Sequence, residues 1–150
     1  MPGLEDLYRE IILDHYRTPR NRGTLETPPA VVAEGHNPLC GDEIQVYLLV
    51  EDGVVADVKV GGQGCSISQS SASLMTQAVK GKPVTEARRV VRAFKGMMSL
   101  PDDRDEPVDT SEVNLGDLVA LQGVAKFPVR IKCATLAWNT FTNCLDRSTD

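Results

Sequence analysis

A chain of 150 residues is long enough for one domain with a real core, and 41% hydrophobic with 25% charged residues is ordinary for a soluble globular protein. The net charge of −5 argues against nucleic acid or an anionic membrane as the main partner, since both reward basic patches. The longest apolar runs, such as Val46 to Val50, are far too short to span a bilayer, and Met1 to Asp6 lacks the basic-then-apolar order of a secretory signal. The expected location is therefore the cytoplasm, where four cysteines more often mean metal or sulfur chemistry than two disulfides.

Leu4 to Tyr16 reads as the first helix. Leu4, Leu7, Tyr8, Ile11, Ile12 and His15 recur at helical spacing, and Thr18-Pro19 ends the run because the residue before proline disfavours helical backbone. His15 lies on the inner stripe and reads as a packed or capping histidine. The basic segment Arg17 to Gly23 fits either a solvated turn or a docking patch for an acidic partner. Leu25 to Ala33, with Pro28-Pro29, reads as extended. A hairpin follows. Ile44, Val46, Leu48 and Val50 alternate with Glu43, Gln45, Tyr47 and Leu49 as a strand with one buried face, Glu51-Asp52-Gly53 turns, and Val54 to Val60 returns. Cys40 precedes the first of these strands and Cys65 follows the second, so antiparallel pairing makes the two thiols neighbours across 24 intervening residues.

Gly61-Gly62-Gln63-Gly64 allows tight backbone and close approach to something, although no Gly-Lys-Ser/Thr follows to make a phosphate loop. Ser66 to Ser71 opens a second helix running to about Lys80, with Ser66 or Ser68 expected at the N-cap and Ile67, Ser71, Leu74, Met75 and Ala78 facing inward. Thr85 to Met98 is a third helix, with Ala87, Val90, Val91, Phe94 and Met98 in register. Pro101 to Gly116 is acidic and reads as a solvated loop. Leu118 to Val124 suggests a short helix, Phe127 to Arg130 an extended entry, and Ile131 to Asp146 a last helix with Ala134, Ala137, Trp138, Phe141 and Leu145 as its core stripe. No repeat or low-complexity tract divides the chain, so residues 1–150 are expected to form one domain.

Cys40, Asp42, Cys65 and Cys133 each sit where a loop meets a helix or strand, with glycine or proline close to most of them. Zinc and iron both accept three thiolates plus one oxygen ligand, and these four residues supply that set. The competing reading is that the cysteines are small buried hydrophobes. Cys144 follows Cys133 by eleven residues on the same expected helix, which puts the two about 16 Å apart, so Cys144 cannot share a site with Cys133. His36, near Cys40 in sequence, is a weaker ligand candidate than Asp42.

Asp14-His15-Tyr16-Arg17-Thr18-Pro19-Arg20-Asn21 with Gly23, Asn37-Pro38-Leu39-Cys40-Gly41-Asp42, Gly62-Gln63-Gly64-Cys65-Ser66-Ile67-Ser68 and Val129-Arg130-Ile131-Lys132-Cys133-Ala134 occur in the order, and with the character, of the NifU/IscU-like family of iron–sulfur cluster assembly proteins, which this chain resembles over nearly its whole length. The resemblance implies an α+β fold: a small antiparallel sheet with helices packed on one side and the metal site at one end. Scaffold-type members carry a histidine just before the third cysteine. Here that position is Lys132, whose ammonium has no lone pair for a metal and could instead balance the site's negative charge. The lysine and the longer segment between Cys65 and Cys133 are similar to the SufU branch.

That branch implies one zinc held by Cys40, Asp42, Cys65 and Cys133, with Cys40 accepting persulfide sulfur from a cysteine desulfurase of the SufS type before it passes to downstream iron–sulfur assembly proteins. A ligand from the partner replacing Cys40 on zinc would free it as a thiolate for attack on the persulfide. Two alternatives stand beside this zinc-dependent sulfurtransferase activity. One is a scaffold holding iron or a [2Fe-2S] cluster at the same residues; the other is a partner-binding protein whose zinc is purely structural.

Overall fold

In the computed structural model, which describes residues 4–27, 29–38, 41–98 and 116–148, three strands form one antiparallel sheet in the order β1 (Val31–Asn37), β2 (Asp42–Glu51), β3 (Val54–Gln63). Helices α1 (Leu4–Arg17), α2 (Ser66–Val79), α3 (Val84–Met97) and α4 (Pro128–Ser148) pack on one side of it, with a 3-10 helix over Gly116–Lys126 leading into α4. This is the expected α+β arrangement. Among the described residues no helix is long and apolar enough to cross a membrane.

The expected hairpin is β2–β3. Ile44, Val46 and Leu48 are buried and face Val58 and Val60 through the pairs Val46↔Val60 and Leu48↔Val58. Asp52 and Gly53, both at positive φ (52° and 75°), make the two-residue turn whose twist matches paired strands. A register shift between Leu49 and Val50 breaks the alternation, which leaves Val50 only partly buried. The sequence reading of Leu25 to Ala33 as extended missed the third strand. It begins at Val31 and runs to Asn37, pairing along β2 from Val31↔Leu48 to Asn37↔Asp42. Its second half, Glu34-Gly35-His36-Asn37, carries no apolar alternation, so a period-two search stops short of it.

Three helix boundaries also differ from expectation. Helix α4 starts at Pro128 and not at Ile131: the first helical position needs no N–H, and the fixed φ of proline suits it. Leu118 to Val124 lies inside the 3-10 helix. The N-cap of α2 is Cys65 and neither serine, and its own side chain makes no capping bond. The acidic stretch Pro101 to Gly116 lies outside the described residues except for Gly116.

Helix α2 is the hub. It contacts α1, α3, α4, β3 and the 3-10 helix, so Ile67, Ser68, Ser70–Thr76 and Val79 are all buried, a wider face than the expected inner stripe. Its serines serve as internal ties. Ser71 Oγ donates to the Ala134 carbonyl and accepts from Trp138 Nε1 at 3.0 Å, which satisfies the buried indole. Trp138 in turn stacks on Phe94 of α3 with ring centroids 4.2 Å apart.

His15 is the packed histidine the sequence suggested. Its Nδ1 lies 2.7 Å from Ser73 Oγ, which also accepts the Arg20 N–H at 2.8 Å. The Ser73 hydroxyl thus ties His15 to the Arg20 backbone, and the direction of the His15–Ser73 bond follows the imidazole tautomer. Burial lowers the His15 pKa first and Arg20 lowers it further, against Asp14 and Asp117, which raise it. A histidine whose folded pKa is depressed contributes stability that is complete above its unfolded pKa and lost as pH falls toward the folded value. The melting temperature is therefore expected to fall as pH drops below about 6.5, and this slope is expected to flatten in His15→Gln. Thermal unfolding followed across that range in both proteins checks it.

Candidate metal centre

The open end of the sheet gathers the chemistry. Asn37 closes β1 and Asp42 opens β2 directly opposite it, so residues 38–41, among them Cys40, make the connection between the two strands. At the same end β3 runs out at Gln63, and Gly64 leads to Cys65 at the start of α2. Cys133 comes from the opposite direction, in the second turn of α4. The expected Cys40–Cys65 hairpin logic holds for the strands on either side, while Cys40 itself lies outside the described residues.

Asp42 carboxylate oxygen, Cys65 Sγ and Cys133 Sγ lie within 4.8 Å of one another. Asp42 is 1% exposed and works twice. Its Oδ1 accepts the Cys65 backbone N–H at 2.8 Å, supplying from outside the helix the cap that Cys65's own side chain does not provide. Its Oδ2 stands 3.8 Å from Cys65 Sγ. No disulfide joins any of the described cysteines. The glycines foreseen as permitting close approach do so here. A Cβ on Gly64 would run into Asp42 Oδ1 and stand 2.6 Å from Ser68 Oγ.

The two sulfurs open on a cleft of about 430 Å³ lined by Cys65, Phe127, Pro128, Val129, Arg130 and Cys133. Phe127 and Val129 remain 57% and 56% exposed, an apolar lip that the sequence reading missed because it took Phe127 to Arg130 only as an entry segment. Asn37 was also missed: its Nδ2 donates to Cys133 Sγ at 3.6 Å, within reach of the larger sulfur atom. Its place at the head of Asn37-Pro38-Leu39-Cys40-Gly41-Asp42 was the signal available.

The remaining candidates separate as geometry demands. Cys144 is fully buried between α4 and the sheet, where its thiol donates to the Val46 carbonyl at 3.2 Å and desolvation pushes its pKa up to about 11. It is a core thiol and no part of the site. His36 is exposed on β1 opposite Glu43 and is not in the metal-capable group, and Lys132 is exposed on α4.

The double role of Asp42 gives an expected result. Asp42→Asn keeps an acceptor for the Cys65 N–H and removes the charged donor, so its metal-free form is expected to melt close to wild type while metal affinity falls at least about tenfold. Asp42→Ala loses both, and is expected to cost a further ~1 kcal/mol of stability from the uncapped start of α2. Metal titration and thermal unfolding of the metal-free proteins separate the two effects.

Fold and site together define a class: a small α+β domain that brings thiols and a carboxylate to one end of an antiparallel sheet, where they can hold a metal ion. Residues 7–134 match the NifU-like N-terminal domain, and the chain belongs to that family. It is 47% identical to the zinc-dependent sulfurtransferase SufU of Bacillus subtilis, over 91% of this chain and 87% of that one. It is 40% identical to the iron–sulfur cluster assembly scaffold protein IscU of Thermotoga maritima, over 94% of each chain. A crystal structure of a protein assigned as an iron–sulfur cluster assembly scaffold of the SUF system in Fervidobacterium islandicum superposes with a TM-score of 0.78 at 32% identity, covering 95% of this chain and 99% of that one.

Proposed function

We propose that this protein holds one zinc ion through Cys40, Asp42, Cys65 and Cys133, and that Cys40 takes persulfide sulfur from a SufS-type cysteine desulfurase for iron–sulfur cluster assembly. The observation that carries the reading is the meeting of Asp42, Cys65 and Cys133 beside an open cleft, with no histidine in the group. The residues fit the ion. Tetrahedral zinc with sulfur at about 2.3 Å and oxygen at about 2.0 Å spaces its ligand atoms roughly 3.5–3.8 Å apart, and the Cys65 Sγ to Asp42 Oδ2 distance of 3.8 Å is of that size. Bound there, zinc would keep the thiols deprotonated and shield them from oxidation.

The transfer itself needs no oxidant. The Cys40 thiolate attacks the terminal sulfur of the desulfurase persulfide, a new S–S bond forms as the old one breaks, and the desulfurase cysteine leaves as a thiolate. The product is a persulfide on Cys40. Asp42 is the hard ligand in a soft set, which favours a site able to rearrange during this exchange. The apolar lip of Phe127 and Val129, with exposed Arg130 and Lys132 beside it, supports the approach of a protein partner to the cleft.

The IscU relative favours a second reading, in which the same residues carry a [2Fe-2S] cluster for transfer. One experiment decides between them. The purified protein is expected to contain about one zinc per chain with little iron, in keeping with a four-coordinate site, and to raise desulfurase turnover with cysteine and a reductant. A protein that lacks zinc, leaves turnover unchanged and instead builds a transferable, visibly absorbing cluster from iron and sulfide under anaerobic conditions overturns the zinc reading.

A further inference from the structure

The two described sulfurs of the site have different surroundings. Cys65 Sγ faces a carboxylate oxygen, Asp42 Oδ2, at 3.8 Å, and no N–H points at it among the described residues. Cys133 Sγ likewise donates to an oxygen, the Val129 carbonyl at 3.8 Å, but it also receives an amide N–H, from Asn37 Nδ2 at 3.6 Å, and both Asn37 and Cys133 are buried. Asn37 and Asp42 are directly paired at the end of β1–β2, so neighbouring strand positions reach two different cysteines: Asp42 fixes Cys65 and Asn37 fixes Cys133. An amide hydrogen aimed at a thiolate orients its lone pairs and draws electron density from the sulfur, while a neighbouring oxygen acceptor does neither.

Resting on the zinc reading above, we propose that Asn37 is a positioning residue that holds Cys133 on the metal and lowers its reactivity toward electrophilic sulfur. Sulfur delivery is thereby confined to another thiol of the site. Cys133 is the ligand built to stay.

The test compares zinc-loaded wild type with Asn37→Ala and with Asn37→Val, which removes the donor while filling more of the space. Each protein is treated with iodoacetamide, and alkylation of Cys133 and Cys65 is followed by mass spectrometry. In both variants the Cys133 to Cys65 ratio is expected to rise about tenfold, and zinc affinity to fall about 10–100-fold in chelator competition. In the cobalt-substituted proteins the sulfur-to-cobalt charge-transfer band is expected to move to lower energy, a change that a purely structural role does not produce. An unchanged alkylation ratio with an unmoved band overturns the proposal. So does failure of both variants to fold without metal where the metal-free wild type folds, since Asn37 would then be a structural residue. A wild type that takes up neither zinc nor cobalt refutes the metal reading itself, whereas a metal-binding wild type with indistinguishable variants refutes only the role of Asn37.

Discussion

Cys40→Ala is expected to bring desulfurase stimulation down to the rate of the desulfurase alone, a loss of at least about 100-fold in the added rate, while the protein stays folded and still takes up zinc. The three side chains that meet at the sheet end and could hold a metal are Asp42, Cys65 and Cys133, and the described contacts that place them, the Cys65 N–H on Asp42 and the Asn37 amide on Cys133, involve residues other than Cys40. Three protein ligands with water in the fourth place is a regular zinc arrangement, so affinity falls without the site collapsing. The two remaining thiols are held by other contacts. Cys133 is buried at 1% exposure with an amide aimed at its sulfur, and Cys65 has its backbone N–H fixed by Asp42. Zinc content, turnover with cysteine and reductant, and mass detection of a persulfide on the wild-type chain make the measurement. If Cys40→Ala stimulates as well as wild type, the acceptor is elsewhere. Cys133→Ala is expected to show the opposite order of losses, with metal going first and stimulation following it.

Much of this site could be read in the chain because its parts obey short-range rules. The alternation of Ile44, Val46 and Leu48 and the Asp52-Gly53 turn fix a hairpin, and a hairpin puts the residues before and after it together. Helical rise alone separated Cys144 from Cys133, and the buried, high-pKa thiol at position 144 agrees. What escaped the reading was tertiary in origin. Strand β1 is specified by pairing with β2 more than by its own composition, since Glu34, Gly35, His36 and Asn37 offer no period of two. The cap of α2 comes from Asp42, 23 residues earlier, so serines at the helix start suggested themselves and were not used for it. Asn37 meets Cys133 across 96 residues of sequence, a contact that no local pattern announces.

Alanine at Gly62 and alanine at Gly64 are expected to fail in different ways. Gly62 sits at φ +112°, a backbone conformation that L side chains rarely adopt, and a Cβ there would drive into the Glu43 carbonyl on the paired strand, with Ile44 Cα 2.9 Å away. Backbone cannot swing aside. Gly62→Ala is therefore expected to cost about 3 kcal/mol or more and lower the melting temperature by roughly 6–12 °C or more, with or without metal. At Gly64 the obstacles are side chains: Asp42, whose Cγ would be 3.0 Å from the new Cβ, and Ser68 Oγ at 2.6 Å. These can rotate away, and Asp42 can do so only by leaving both the Cys65 N–H and the neighbourhood of Cys65 Sγ. Gly64→Ala is thus expected to cost the metal-free protein only about 1–2 kcal/mol, the value of a lost helix cap, while zinc affinity drops at least about tenfold. Thermal unfolding of the metal-free proteins and chelator competition give the two numbers independently. Wild-type zinc affinity in a folded Gly64→Ala would remove Asp42 from the ligand set, because the methyl group and the carboxylate cannot occupy the observed place together. A large loss of zinc without loss of fold fixes the reason for the glycine: the backbone before Cys65 is bare so that the carboxylate of Asp42 can reach the metal and the start of α2 at once.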